Sequence, residues 1–209
     1  LLSDGLVVGD RRIERGSRQG IALAAVIKEL LRQNDAKLSD IDLFAVGAGP
    51  GSYTGMRIGI TAGKILAMSS GVPVVGVCSM DALAFKAHQD STVIINGRQE
   101  QFYFCRYLAG SGKIPQRLQD INVVDGSSLA SHLTPGDIII NDTGLEKYLD
   151  LSDYQLRQGD FAVPSALDIG VLGEQKYLES GADDLHMLSP MYLRRSQAED
   201  KWDALEKKG

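Results

Sequence analysis

Three features of the sequence predict an α/β fold of two small lobes. Strand-like and helix-like runs alternate through the first ninety or so residues. A short apolar strand there runs directly into the glycine-rich loop Gly47-Ala48-Gly49-Pro50-Gly51-Ser52-Tyr53-Thr54-Gly55 and then a helix. After Asp90 the pattern changes to a hairpin followed by further short strands and one long helix. The 209 residues, 44% hydrophobic and 23% charged, suffice for two small domains or one large one, a composition that excludes disorder, collagen and a disulfide scaffold. The expected lobes are residues 1–90 and 91–209, meeting near 88–92, with the last helix returning to the first lobe.

In chain order, Leu6-Val7-Val8 followed by Arg11-Arg12-Ile13 reads as an edge strand. Ser17 is placed to cap a helix from Gln19 to Gln33, and Asn34 to Ser39 is polar and turn-like. Asp42 to Gly47 is the strand that enters the glycine loop, and a helix from Thr54 to Ser70 leaves it. Gly71-Val72-Pro73 turns the chain into the β-branched run Val74 to Val77, after which Ser79 caps a helix to His88. Thr92 to Ile95 and Gln101 to Tyr107 form the hairpin, joined by Asn96 to Glu100. Strands then follow near Ile121 to Val124 and Asp137 to Ile140, with helices near Ser127 to His132, Leu145 to Asp150 and Ser165 to Ser180. The ending, with Trp202 and Glu206 to Gly209, reads as a solvated tail.

No apolar run reaches the roughly 20 residues of a membrane helix, and Leu1 to Leu6 lacks the features of a signal peptide. A cytoplasmic protein without membrane contact is expected. Cys78 and Cys105 each sit in an apolar run and read as buried free thiols. With a net charge of −5 the chain as a whole repels phosphate backbones, so nucleic-acid contact needs a basic partner or a local patch.

A glycine-rich loop before a helix is where backbone amides can face an anion. Gly59 to Ile65 falls one residue short of a Walker loop and ends without its hydroxyl; neither Gly47-Ala48-Gly49 nor Gly49-Pro50-Gly51 places the third glycine of a dinucleotide fingerprint. The loop of Gly49, Pro50, Gly51, Ser52 and Thr54, with Arg57 beyond it, is therefore read as a tight turn with Ser52 or Thr54 as helix cap, in preference to a phosphate cradle.

In the following helix Gly55, Gly59 and Gly63 recur every four residues along one face. Three helical glycines cost about 1 kcal/mol each against alanine, which close packing on another backbone offsets. That backbone belongs either to the same lobe or to another subunit. The helix from Gln19 to Gln33 is apolar on more than one side, with Ile21, Leu23, Ala24, Ala25, Val26, Ile27, Leu30 and Leu31, so one side is expected in the core and another against a partner. His88, His132 and His186 make no metal-ligand spacing, no serine or cysteine sits in a nucleophile elbow, and no catalytic or metal site is expected. Asp142 follows an apolar strand, where α/β folds bind ligands, but an Asx-turn that simply ends the strand is the preferred reading.

The run Gly49-Pro50-Gly51-Ser52-Tyr53-Thr54-Gly55-Met56-Arg57-Ile58-Gly59, followed by Gly71-Val72-Pro73-Val74-Val75-Gly76-Val77, resembles the TsaB (YeaZ) family of bacterial tRNA threonylcarbamoyladenosine synthesis. Asn96-Gly97-Arg98 and Tyr103 resemble that family's Asp-Ala-Arg hairpin and its tyrosine, and Pro190-Met191-Tyr192-Leu193-Arg194 its Pro-x-Tyr-Leu-Arg ending. Asn96 stands where the family usually has Asp. Family members also open with a strand of the type Ile-Leu-Ala-Ile-Asp-Thr-Ser, which this sequence lacks ahead of the segment matching Leu1 to Ile13.

The resemblance implies a two-lobed fold of the actin-like, Hsp70 and sugar-kinase (ribonuclease H-like) superfamily, here without its first strand. It also implies a non-catalytic subunit that pairs with the paralogue TsaD, works with TsaE, and meets tRNA only through the complex. Where TsaD has a metal-binding His-x3-His, this chain has Ser79 and Leu83; where TsaD has a Gly-Gly-Gly loop, it has Asn141-Asp142-Thr143-Gly144. No cofactor is expected in isolation, with ATP or ADP only at the complex interface. Ile21, Leu23, Ala24, Ile27 and Leu31 of the first helix, with Gly55, Met56, Gly59, Ile60, Gly63 and Leu66 of the second, are the expected partner surface, which would form a homodimer without TsaD. Asn96, Arg98 and Asp142 are the second-lobe ligand candidates. The alternatives are a nucleotide-binding enzyme of the actin-like superfamily, a glycopeptidase, an RNA-binding module, and a TsaB-like regulator of another partner.

Overall fold

The computed structural model describes residues 1–13, 19–110, 112–141 and 144–193, with the side chains of residues 19–22 outside that description. The expectations for Ser17, Ile21, Asp142, Arg194 and the tail with Trp202 fall outside it. At the beginning, β1 (Leu2–Ser3) and β2 (Leu6–Val7) pair antiparallel across Asp4 and Gly5, both at positive φ. The Asp-Gly pair is the usual signal for such a two-residue turn. The expected edge strand is therefore a short hairpin, and Arg11 to Ile13 carries no strand. Helix α1 (Gln19–Gln33) has the expected bounds.

Strand β3 (Phe44–Gly49) and strand β4 (Val74–Cys78) pair in parallel, Val46 opposite Gly76, with helix α2 (Tyr53–Ser70) as the crossover. Ser52 caps α2, its Oγ accepting from the Gly55 amide at 3.3 Å, and Gly71 closes it in the left-handed conformation. Helix α3 (Ser79–Ala87) begins directly at the end of β4; Ser79 is its first residue rather than its cap, because the cap position falls to Cys78.

The second sheet has six strands. Antiparallel β5 (Ser91–Arg98) and β6 (Gln101–Leu108) form its centre; β7 (Gln116–Arg117) and β8 (Asn122–Asp125) both pair with β6. On the other side β9 (Ile138–Asn141) runs parallel to β5, and β10 (Gln155–Arg157) parallel to β9. The hairpin strand continues beyond Asn96 to Arg98 through a register shift, leaving Gln99 and Glu100, both at positive φ, as the turn. Residues 126–132 form a 3₁₀ segment, while 145–150 make turns rather than the expected helix.

Helix α4 (Ala166–Ser180), capped by Ser165, packs on β3 and β4, where Gly173 admits no side chain against Ala45 and Val75. The segment after it is stitched across the same layer: the Asp183 amide donates to Val74 O, the Gly76 amide to the Asp183 carboxylate, and the Met191 amide to Ala48 O. A single apolar cluster of Cys78, Met80, Leu83, Val93, Cys105, Tyr107 and Ile140 joins β4 and α3 to β5, β6 and β9, so one core links the two sheets.

Candidate partner-binding surface

Helix α1 is the most amphipathic of the four described helices, yet none of its described side chains is buried. Instead, Leu23, Ala24, Ile27 and Leu31 of α1 face Ile65 and Leu66 of α2 across an apolar cleft of about 660 Å³. Ile65 is 61% and Met68 65% exposed. Single exposed apolar residues are ordinary, but a contiguous patch of this kind marks an interaction surface. Lys28, Arg32 and Lys37 also line the cleft, which carries no carboxylate of its own. Arg32 is held by Glu29 at 2.7 Å, and its guanidinium pulls that carboxyl down to about 2.

The structure divides the residues expected on this surface. Leu23, Ala24, Ile27, Leu31 and Leu66 line the cleft. Ile60 and Gly63 do not: both are buried beneath α2 in the chain's own core, Gly63 against Val46. Met56 turns its sulfur onto Gly49, which at φ 100° has no room for a side chain. Gly55 has only Ser52 near it and Gly59 faces open space. The glycine spacing of four advances about 40° around a helix at each step, so the three glycines spiral from solvent into the core rather than sharing one partner. Ile65 and Met68 were not expected here; their spacing with Ile58 is a second apolar stripe that attention to the glycines concealed.

The motif loop proves to be a built turn. Pro50 is buried after a cis peptide bond, whereas Gly51, Ser52 and Thr54 are exposed. Exposed Arg57 lies over the Tyr53 ring, 5.0 Å from its centroid. In the second sheet, Asn96 accepts from the Arg98 amide at 2.8 Å and supports the bend there. Asn141, beside the undescribed Asp142, is buried and donates to Ile94 O.

A half-buried charged cluster at the edge of the core is not legible in the sequence, since its members lie on three separate elements. The Asp81 carboxylate on α3 accepts two bonds from Arg117 on β7, each 2.7 Å, and one from the Tyr107 hydroxyl on β6 at 2.9 Å. Three hydrogen bonds from the chain itself hold this half-buried carboxylate. Burial, then the Asp81 charge, pushes the neighbouring Cys78 thiol up to about 12, and burial raises Cys105 as well, so neither is a reactive thiolate. Among the described residues no group of three or more His, Cys, Asp or Glu is placed to hold a metal, and no helix is long and apolar enough to cross a membrane.

Comparison with known proteins converges on one system. Residues 20–123 match the family described as TsaD, tRNA N6-adenosine threonylcarbamoyltransferase. The chain is 30% identical to the tRNA threonylcarbamoyladenosine biosynthesis protein TsaB of Bacillus subtilis, an alignment covering 97% of this chain and 91% of that protein. It is 28% identical to the protein of the same name from Haemophilus influenzae, over 81% of this chain and 77% of the relative. The solved structure of YeaZ from Pseudomonas aeruginosa superposes with a TM-score of 0.69 at 23% identity, covering 83% of this chain and 84% of that one.

Proposed function

The chain belongs to the TsaB family, and from that premise we propose that it is the non-catalytic subunit that pairs with TsaD through the apolar surface of α1 and α2. Its role in tRNA threonylcarbamoyladenosine biosynthesis follows from the relatives that bear that name, and its fold is the actin-like, ribonuclease H-like fold of YeaZ. The observation that carries the pairing is the open cleft between the two helices. Leu23, Ala24, Ile27 and Leu31 of α1 and Ala62, Ile65 and Leu66 of α2 line one apolar cleft that the other described residues leave open. Burying such a surface contributes about 25 cal/mol per Å², which a partner helix pair can supply. Lys28 and Lys37 at the rim, with Arg32 already held by Glu29, favour a partner with acidic residues around its apolar centre.

In this reading the chain supports threonylcarbamoyl transfer in the cytoplasm without performing it. TsaE joins through the complex, the tRNA is modified there, and ATP or ADP has a place only where the subunits meet. Without TsaD the same wall would join two copies of the chain. The test is co-purification of the full chain with TsaD. The wild type should elute with it as one species, and Ile65→Asp should release it while retaining its own fold; retention of Ile65→Asp at unchanged affinity would remove this cleft from the interface.

A further inference from the structure

Two motifs far apart in the sequence, the glycine loop with its helix start and the described part of the last motif, Pro190 to Leu193, meet in space. The Met191 amide bonds Ala48 O at 2.8 Å and brings Tyr192 onto Tyr53, ring centroids 5.4 Å apart and planes 32° apart. Arg57, one turn along α2, lies over the Tyr53 ring. Tyr53 is 47% and Tyr192 48% exposed, and Arg57 is exposed, with no ion pair to a carboxylate among the described residues.

We propose that Tyr53, Arg57 and Tyr192 form a stacking platform for an unpaired base of RNA, with the Arg57 guanidinium set for the adjoining phosphate. A helical cation–π pair alone accounts for Tyr53 and Arg57 but not for a second tyrosine delivered from the far end of the chain and left half in water. From Phe44 to Ser70 the sequence carries two cations, Arg57 and Lys64, and no acidic residue, and Arg194-Arg195 follow Tyr192 in the sequence; Lys64 is engaged by His186 O and Leu188 O, which leaves Arg57 as the cation beside the rings. Flanking Tyr53 in the sequence, Gly51, Ser52, Thr54 and Gly55 are small and exposed. Aromatic faces joined to a guanidinium with free donors are how proteins hold single-stranded bases without reading their sequence. The apolar wall around Ile65 and Met68 lies about three turns further along α2, so both surfaces can be used at once. The inference does not depend on the pairing with TsaD and fails or stands separately from it.

The experiment titrates the full chain into a short fluorescent single-stranded RNA at low salt and reads anisotropy, alongside an RNA of equal length lacking bases. Saturable binding that prefers the base-bearing strand is expected. Tyr192→Ala and Tyr53→Ala should each weaken it about fivefold or more, Tyr192→Phe should keep it, and Arg57→Gln should flatten its salt dependence. Circular dichroism melts of each variant separate lost binding from lost fold. Absence of saturable binding by the wild type, equal binding of the two strands, or unchanged affinity of Tyr192→Ala would overturn the proposal. So would loss of TsaD binding by Tyr192→Ala with RNA affinity intact, which would make the patch a protein contact.

Discussion

Gly63 lies so close to Val46 that the Val46 Cγ1 methyl occupies the place a Cβ on Gly63 would take. Helix α2 approaches β3 at this point because there is no side chain between them. Val46 is β-branched and held in a paired strand, so it cannot swing aside. Gly63→Ala should therefore lower stability by about 1–3 kcal/mol. At Gly59, where the space is open, alanine should raise it by up to about 1 kcal/mol through helix propensity. Urea unfolding of the two variants checks the opposite signs.

The Asp81 clamp joins α3 to β6 and β7, with the Asp81 side chain 15% and the Arg117 side chain 34% exposed. Asp81→Ala leaves a guanidinium without its carboxylate. The cost should be about 2–4 kcal/mol, below that of a fully buried pair because a third of Arg117 reaches water. Tyr107→Phe removes one hydrogen bond and should cost about 1 kcal/mol. Chemical denaturation of both variants measures the difference.

Raising the pH tests the buried thiol. The folded state holds Cys78 at about 12 against its ordinary 9.0, so the fold favours the protonated form. This contribution is complete below pH 9.0 and is lost as pH rises toward 12. Thermal stability should fall across that window, less steeply in Cys78→Ala. At pH 8 the native chain should leave Cys78 unmodified by a thiol reagent that labels it in urea. Rapid labelling of the folded chain would contradict the burial.

Much of this fold was legible in local pattern. Gln19–Gln33 is periodic over four turns, Ser52 and Ser165 are caps in strong context, and the β-branched run at Val74 admits little but a strand. The signals that failed were those decided by tertiary packing. Leu145 to Asp150 has helical residues, yet Leu145 and Leu149 are drawn into the core by turns, with Gly126 pressed against the Tyr148 ring. The Asp81 clamp could not be seen, because nothing local links positions 81, 107 and 117. The apolar excess of α1 marks side chains that do line a cleft, while the glycine spacing of α2 mixes a buried position with open ones. A glycine is silent about whether its empty side faces the core, as at Gly63, or water, as at Gly59.

On the cleft itself, a carboxylate placed at Ile27 or Ile65 stays hydrated in the free chain and is buried only on pairing. Ile27→Asp and Ile65→Asp should leave the melting temperature of the isolated chain nearly unchanged and weaken TsaD binding at least tenfold, a loss of about 1.4 kcal/mol or more. Gly59→Leu, whose Cβ has no described atom within 4 Å, should also fold and weaken the pairing by obstruction. Calorimetric titration of TsaD into each variant gives both numbers.

Omit-one reconstitution tests the central claim most directly. TsaD, TsaE, the enzyme that makes threonylcarbamoyl adenylate, ATP, threonine, bicarbonate and tRNA are combined with wild-type chain, with Ile65→Asp, or with neither, and the modified adenosine is counted. Modification that requires the chain, and that falls with Ile65→Asp in proportion to lost pairing, is the predicted result. Equal modification without the chain, or full activity from a variant that no longer pairs, would contradict the account.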